Sequence, residues 1–515
     1  MRNFTLQKYK IHANYTSCRA CFFQKNNMFF ATAMIGLDDD FSLFGVLEYQ
    51  SCQIIENFVY FCMFLLENYE TVMRNFMRIM VLATILLGVT LGVGCNSNVE
   101  DPKSKIIRVE NGQFVRNGEP YYFVGTNFWY GAILGSTGEG GNRERLVKEL
   151  DFMKANGIDN LRILVGGEGE NGLLGKIEPN LQPKPGEYND AVLEGLDYLL
   201  AELGKREMTA VLYFNNAWEW SGGYTQYVAW ANNTPVLVPR VDGWFSYNEF
   251  AGEFVRNERA KQIFYDHLRY IITRTNRYTG LKYIDDPAIF SWQICNEPRA
   301  FSSKTTDNKE AFAEWLATSA KLIRELDPNH MISTGSEGFY GCEWDMDLCE
   351  KIHAIEEIAY INCHVWPYNW KWVNGENMFE NLEVAFANTE EYIAMHIELA
   401  EKIGKPLVVE EFGMPRDNLD FRRSSTTICR DKYYDFVFDM VEEAALNGGK
   451  FAGCNFWSWG GYAVTHVEDH EYWMTGDDYT GDPAQEQQGL NSIFVEDEST
   501  LAIIREINTK LGNVR

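Results

Sequence analysis

Two stretches of the chain carry an apolar run that ends in carboxylates. In Asp286 to Ala300, DPAIFSWQICNEPRA, the run from Ala288 to Cys295 is broken only by Ser291 and Gln293 and ends in Asn296, Glu297, Pro298 and Arg299. A strand buried on both faces reads this way. Pro298 cannot extend a ladder, so the strand stops and presents Glu297 at its C-terminal rim. The second stretch, Pro406 to Gly413, PLVVEEFG, has the same form. Two carboxyl groups about 5 to 5.5 Å apart, one an acid/base and one a nucleophile, are what hydrolysis of a glycosidic bond with retention requires. An NEP tripeptide alone is common; the signal is the pair, each at a strand end. Neighbouring strand residues face opposite sides, so one of Glu410 and Glu411 should enter a cleft, and alternation alone leaves both open.

The elements that must hold this pair are strands alternating with helices. After a hairpin across Glu110 to Gly118 the strands read as Tyr121–Gly125, Asn160–Val165, Thr209–Phe214, the opening stretch, His330–Thr334, Ala359–Cys363, Leu407–Glu410 and Ala452–Trp457. Helical patterns fall between them at Arg143–Asn156, Asn189–Lys205, Lys309–Leu326 and Thr389–Ile403. Eight such units predict an α/β fold, a single (β/α)8 TIM barrel spanning residues 106–515, with active residues at the C-terminal rim. The surplus over a typical barrel of about 250 residues lies in enlarged βα loops after strands three, six and eight. Those loops hold many of the 14 Trp.

The net charge of −27 is spread along the chain. Such a surface repels phosphate backbones, so nucleic acid is not an expected partner; a neutral polymer meets no such penalty. The aromatic load suits sugar-binding clefts as well as cores. The 11 cysteines form no disulfide framework by spacing, although Cys342 and Cys349 can pair within one loop.

Ahead of the barrel, Arg78 precedes an apolar run from Ile79 to Val93 that ends at Gly94-Cys95. A basic residue, an apolar core of this length and a small residue before Cys resemble a lipoprotein signal peptide over 77–95, with Cys95 as the lipidated residue. The run is short for a single spanning anchor, which needs about 20 residues. Residues 96–105 read as a tether. Signal peptides act from the true N-terminus, so translation is expected to start at Met73 or Met77, with 1–76 an upstream extension, disordered or processed. Its Cys18-x-x-Cys21 lacks the second pair that a zinc site needs. The expected location is the cell envelope or outside it, with membrane contact only through the lipid at Cys95.

The motifs NLRI (Asn160 to Ile163), NNAW (Asn215 to Trp218), WQICNEPR, CHVWPYNW (Cys363 to Trp370), VVEEFGMPRD (Val408 to Asp417) and FWSWGG (Phe456 to Gly461) stand in one order along the chain. In this the chain resembles glycoside hydrolase family 5, and within it the bacterial endo-β-1,4-mannanases. The resemblance implies Glu297 as acid/base and Glu411, which precedes Phe412-Gly413, as nucleophile, with Glu410 structural. It implies that Arg162 keeps the nucleophile ionised, that Asn296 bonds the sugar 2-hydroxyl, that His364 belongs to the site, and that Trp457 is the floor beneath the reacting sugar. Asn215 and Trp218 are further substrate contacts, and Trp220, Trp244 and Trp370 are candidate walls. Where many members carry Tyr bonding the nucleophile, this chain has Trp366. No cofactor and no metal is implied; His466, Asp469 and His470 have metal-like spacing but read more simply as a polar loop.

The expected activity is internal cleavage of mannans, including glucomannan and galactomannan. An endo-β-1,4-glucanase or other β-glycanase would share the same two carboxylates, because only subsite contacts differ. A non-catalytic glycan-binding protein would be expected to lose one of them, and a structural envelope protein would have no reason to keep polar groups on one rim. Oligomeric state is left open by the sequence.

Overall fold

The computed structural model describes the backbone of residues 7–13, 16–25, 28–37 and 40–49, and residues 102–173 and 175–514. The chain divides into two units, Met1–Val99 and Glu100–Arg515. In the first, four antiparallel strands, Gln7–Ala13, Thr16–Lys25, Met28–Leu37 and Asp40–Tyr49, pair in sequence order. The proposed signal peptide, Cys95 and residues 96–101 of the tether lie outside the described residues.

The second unit is the barrel. Its strands are β1 (Phe123–Asn127), β2 (Asn160–Leu164), β3 (Thr209–Tyr213), β4 (Ile289–Gln293), β5 (Met331–Ser333), β6 (Ile361–Val365), β7 (Leu407–Phe412) and β8 (Phe451–Phe456), each buried along its whole length. They form one parallel sheet in the order β5-β4-β3-β2-β1-β8-β7-β6. The seam between β5 and β6 is bridged by Ala359 N–H on Ile332 O at 2.8 Å, and by Asn362 Oδ1, which accepts from Gly335 N at 2.9 Å and Thr334 Oγ1 at 3.1 Å.

The outer ring comprises α1 (Arg143–Ala155), α2 (Asp190–Lys205), α3 (Glu258–Ile272), α4 (Lys309–Leu326), α5 (Met346–His353), α6 (Leu382–Ile403), α7 (Ile428–Asn447) and α8 (Glu498–Val514). In α3 the buried set Ala260, Phe264, His267, Leu268 and Ile271 follows the helical period, and the Asn257 side chain caps the start. At the far end of the barrel the small sheet Arg108–Glu110, Gln113–Arg116, Glu119–Pro120 inserts Phe114 between Phe290 and Tyr360, with ring centroids 5.1 and 5.4 Å away. The expected large loops follow β3, β6 and β8. A further one, between β2 and α2, was not anticipated, and α6 begins seven residues earlier than its pattern suggested.

Candidate active site

The NEP turn leaves β4 with Glu297 in the left-handed region, φ 47°. A β-carbon makes that conformation costly, and such positions concentrate where a side chain must be aimed. Glu297 N–H donates to Gly335 O at 2.9 Å, so the loop after β5 fixes the turn. Opposite it, the register of β7 shifts against β6 at Glu411 and against β8 between Val409 and Phe412. This bulge cancels simple alternation. Glu410 and Glu411 therefore both turn toward Arg162, at 3.8 and 2.5 Å.

Arg162 is fully buried on β2 and spreads its guanidinium over several acceptors. Nη1 donates to Glu411 Oε1 and to Asn127 Oδ1 at 3.1 Å, Nη2 to Asn296 Oδ1 at 2.8 Å, and Nε to Gln293 Oε1 at 2.8 Å. The contact with Glu411 is thus through one nitrogen. Glu410 is held from behind by Gln293 Nε2 at 2.5 Å and by the Tyr360 hydroxyl at 3.0 Å. It is a buried framework group.

Ligating atoms of Glu297, His364 and Glu411 lie within 4.8 Å of one another. His364 Nδ1 stands 2.8 Å from Glu297 Oε1 and 3.5 Å from Glu411 Oε2. The Trp218 indole N–H donates to Glu297 Oε2, and Trp366 also bonds Glu297. Among the described residues Glu297, His364 and Glu411 form a group that could hold a metal ion, and their closeness equally suits two carboxyls acting on one sugar carbon.

A cleft of about 840 Å³ opens above them, and Trp218, Asn296, Glu297, Trp366, Glu411 and Trp457 line it, as do Trp220, Trp244 and Trp370. Arg162, Asn215 and His364 stand behind that surface. Asn215 accepts from Asn216 N at 2.8 Å and supplies the carbonyl that Asn296 N–H bonds. The Trp366 and Trp457 rings meet edge to face, centroids 6.1 Å apart. Trp457 Nε1, His364 Nε2 and Asn215 Nδ2 are buried without a hydrogen-bond partner among the described residues. A buried polar atom in that state is costly until something hydrogen-bonds it.

Burial pushes both Glu297 and Glu411 above the ordinary carboxylate range. For Glu297 the Arg299 charge and the Trp218 N–H oppose the rise; for Glu411 the Arg162 guanidinium does. His364 is driven well below its usual value by burial and by Arg162, so it stays neutral.

A model of glycoside hydrolase family 5, β-mannosidase-like, matches residues 104–515. The chain belongs to that family. It is therefore a glycoside hydrolase, and the family's barrel is the fold seen here. A relative named putative mannan endo-1,4-β-mannosidase 9, from Oryza sativa subsp. japonica, is 30% identical over 368 residues, covering 68% of this chain and 82% of its own. The crystal structure of a family 5 mannosidase from Rhizomucor miehei is 32% identical with a TM-score of 0.73, and the match covers 80% of this chain and 99% of that one. A mutant of the same protein in complex with mannosyl-fructose matches at 31% identity and TM-score 0.73, covering 80% and 98%.

Sequence reasoning missed one pair in the family's cleft. Arg299, two residues beyond Glu297, pairs with Glu337 at 2.5 Å and covers the Trp218 ring at 5.0 Å. Burial pushes Glu337 up to about 7. The available signal was a third strand-end carboxylate, in STGSEG after β5. Elsewhere His470 is taken by Asp477 at 2.7 Å and stacks on His466. Cys342 and Cys349 are buried neighbours with free thiols.

Proposed function

We propose that this enzyme hydrolyses β-1,4-mannosidic bonds of mannans, including internal ones, by double displacement with retention. The observation that carries the reading is that Glu297 and Glu411 both reach one nitrogen, His364 Nδ1, at 2.8 and 3.5 Å, a closeness that suits a retaining pair, whose carboxyls stand roughly 5–5.5 Å apart. A Glu411 oxygen attacks C1 of the sugar; the C1–O bond to the leaving unit breaks as Glu297 donates its proton to that oxygen. Glu297, now ionised, takes a proton from water as the water displaces Glu411 from C1. Arg162 favours negative charge on Glu411 and neutral His364 holds Glu297 in place. In this reading Asn296, itself held by Arg162, bonds the 2-hydroxyl and Trp457 carries the ring of the reacting sugar. The relatives named above support mannan as the polymer. Cys95, by its sequence setting, is the anchor that ties the enzyme to the envelope.

The test is to incubate the purified protein and Glu411→Ala separately with linear mannan, galactomannan, carboxymethyl-cellulose and xylan and to follow reducing ends. Release from the mannans, reduced at least about 10³-fold in the variant, is the expected result. Release from cellulose or xylan in place of mannan would overturn the substrate, and unchanged release by Glu411→Ala would overturn the nucleophile.

A further inference from the structure

One flank of the cleft is built as a wall. The loop after β8, residues 457–497, leaves Trp457 and is fastened in turn to the loops of the next three strands around the barrel. Trp129, after β1, donates its indole N–H to Gly481 O at 2.8 Å. The Tyr479 hydroxyl donates to Glu178 O, in the loop after β2, at 2.6 Å, with Trp473 stacked on its ring. Arg240, from the short helix Pro239–Asp242 after β3, donates to Gln485 O and covers the Tyr472 ring at 4.7 Å. Within the loop, Asp482 accepts from Ser492 Oγ at 2.6 Å and from Gly489 N and Asn491 N, both at 2.9 Å. Trp129, Tyr479 and Asp482 are buried, whereas Arg240 is exposed. The first two fastenings are therefore permanent parts of the fold, and the third is a contact that water can replace.

The wall stands on a definite side of the reaction. Glu297 hands its proton to the departing sugar, so that sugar lies toward β4 and β5, where Arg299 and Glu337 wait. The sugar that joins Glu411 rests on Trp457, and units beyond it run toward the loop that follows Trp457. There they meet Gln485, Glu486, Gln487 and Arg240, all lining the cleft. The Glu486 carboxyl is pushed up to about 8, so it can offer a hydroxyl donor as well as an acceptor to a sugar that reaches it.

From this we infer that Arg240 is a specificity-determining latch: closed onto Gln485 and Tyr472, it restricts the site to chain ends and release of single sugars, and parted, it admits the interior of a polymer. The inference rests on the mannan reading above. It assigns to one residue the balance between trimming ends and cutting within the chain.

The experiment compares the full chain with Arg240→Ala and Tyr472→Ala, both at exposed positions, on soluble glucomannan. The viscosity lost per reducing end formed measures internal cutting, and free mannose measures trimming. A charged hydrogen bond removed from the closed state shifts the balance by about ten-fold. Viscosity loss per reducing end should rise by that order in Arg240→Ala and less in Tyr472→Ala, with a matching fall in the mannose share; Arg240→Lys, which keeps a donor, should recover part of the difference. The same ratio in wild type and Arg240→Ala overturns the latch while leaving the substrate standing. If the protein cuts only another soluble β-glycan, the mannan reading falls and the ratio on that glycan decides the latch by the same criterion.

Discussion

The proton on Glu297 is governed by the groups that touch it. Burial raises its pKa, and the indole N–H of Trp218 lowers it by bonding the ionised form. Trp218→Phe keeps an aromatic wall and removes the donor. Glu297 then holds its proton to higher pH, so the alkaline limb of kcat/KM on a soluble mannan should move upward, with a loss of about ten-fold or less at the optimum. A limb that stays in place or moves to lower pH would separate Trp218 from the proton. Two strand ends with carboxylates could be found in the sequence because each closes an apolar run, whereas the choice of Glu411 over Glu410 and the role of Arg162 came from the resemblance to the family's motifs. The Arg299–Glu337 pair could not be found. Its members come from loops after different strands, and STGSEG reads as an ordinary polar turn until β5 is seen to deliver it beside Glu297.

At the scale of elements, α3 is tied to the end of β2 through one imidazole. His267 Nε2 is 2.9 Å from Val165 O and Nδ1 is 3.2 Å from the Tyr188 hydroxyl. Burial lowers its pKa from 6.5 to about 4. The unfolded chain takes up this proton near pH 6.5 and the folded one near 4, so stability that is full above 6.5 is lost as pH falls through that window, by about 3 kcal/mol. Urea midpoints at pH 7 and 4.5 should differ less for His267→Gln than for wild type, although the variant is weaker at pH 7; an unchanged difference would remove His267 from the acid response. The strands were legible to within two residues at most ends, since runs buried on both faces leave a strong pattern. The bulge in β7 was not. One extra residue in a ladder changes which way Glu410 faces without changing a single letter of PLVVEEFG. The loop between β2 and α2 escaped for a related reason: Glu168, Lys176 and Gln182 are buried there by bonds within the loop and from Glu168 to Gly223 and Tyr227 after β3, and no local period announces it.

The molecule as a whole joins a barrel with its own core to an N-terminal unit, Met1–Val99, most of which precedes the start expected at Met73 or Met77. The barrel supplies every side chain of the candidate site, so catalysis should not depend on residues before Glu100. Attachment should depend on one of them. The thiol of Cys95 is the group a diacylglyceryl chain would modify, and stable anchoring then follows from buried methylenes at about 0.8 kcal/mol each, with a second acyl chain on the new N-terminus. Expressed from Met77 in a Gram-negative host, the protein should partition with membranes, and its intact mass should correspond to a chain that begins at acylated Cys95. Cys95→Ser should move it to the soluble fraction or leave the leader uncleaved, with activity on soluble mannan within about two-fold of wild type. Recovery of an unmodified Cys95 with residues 77–94 still attached would show instead that the Ile79 to Val93 run is not processed, and the enzyme would then reach its polymer by another route.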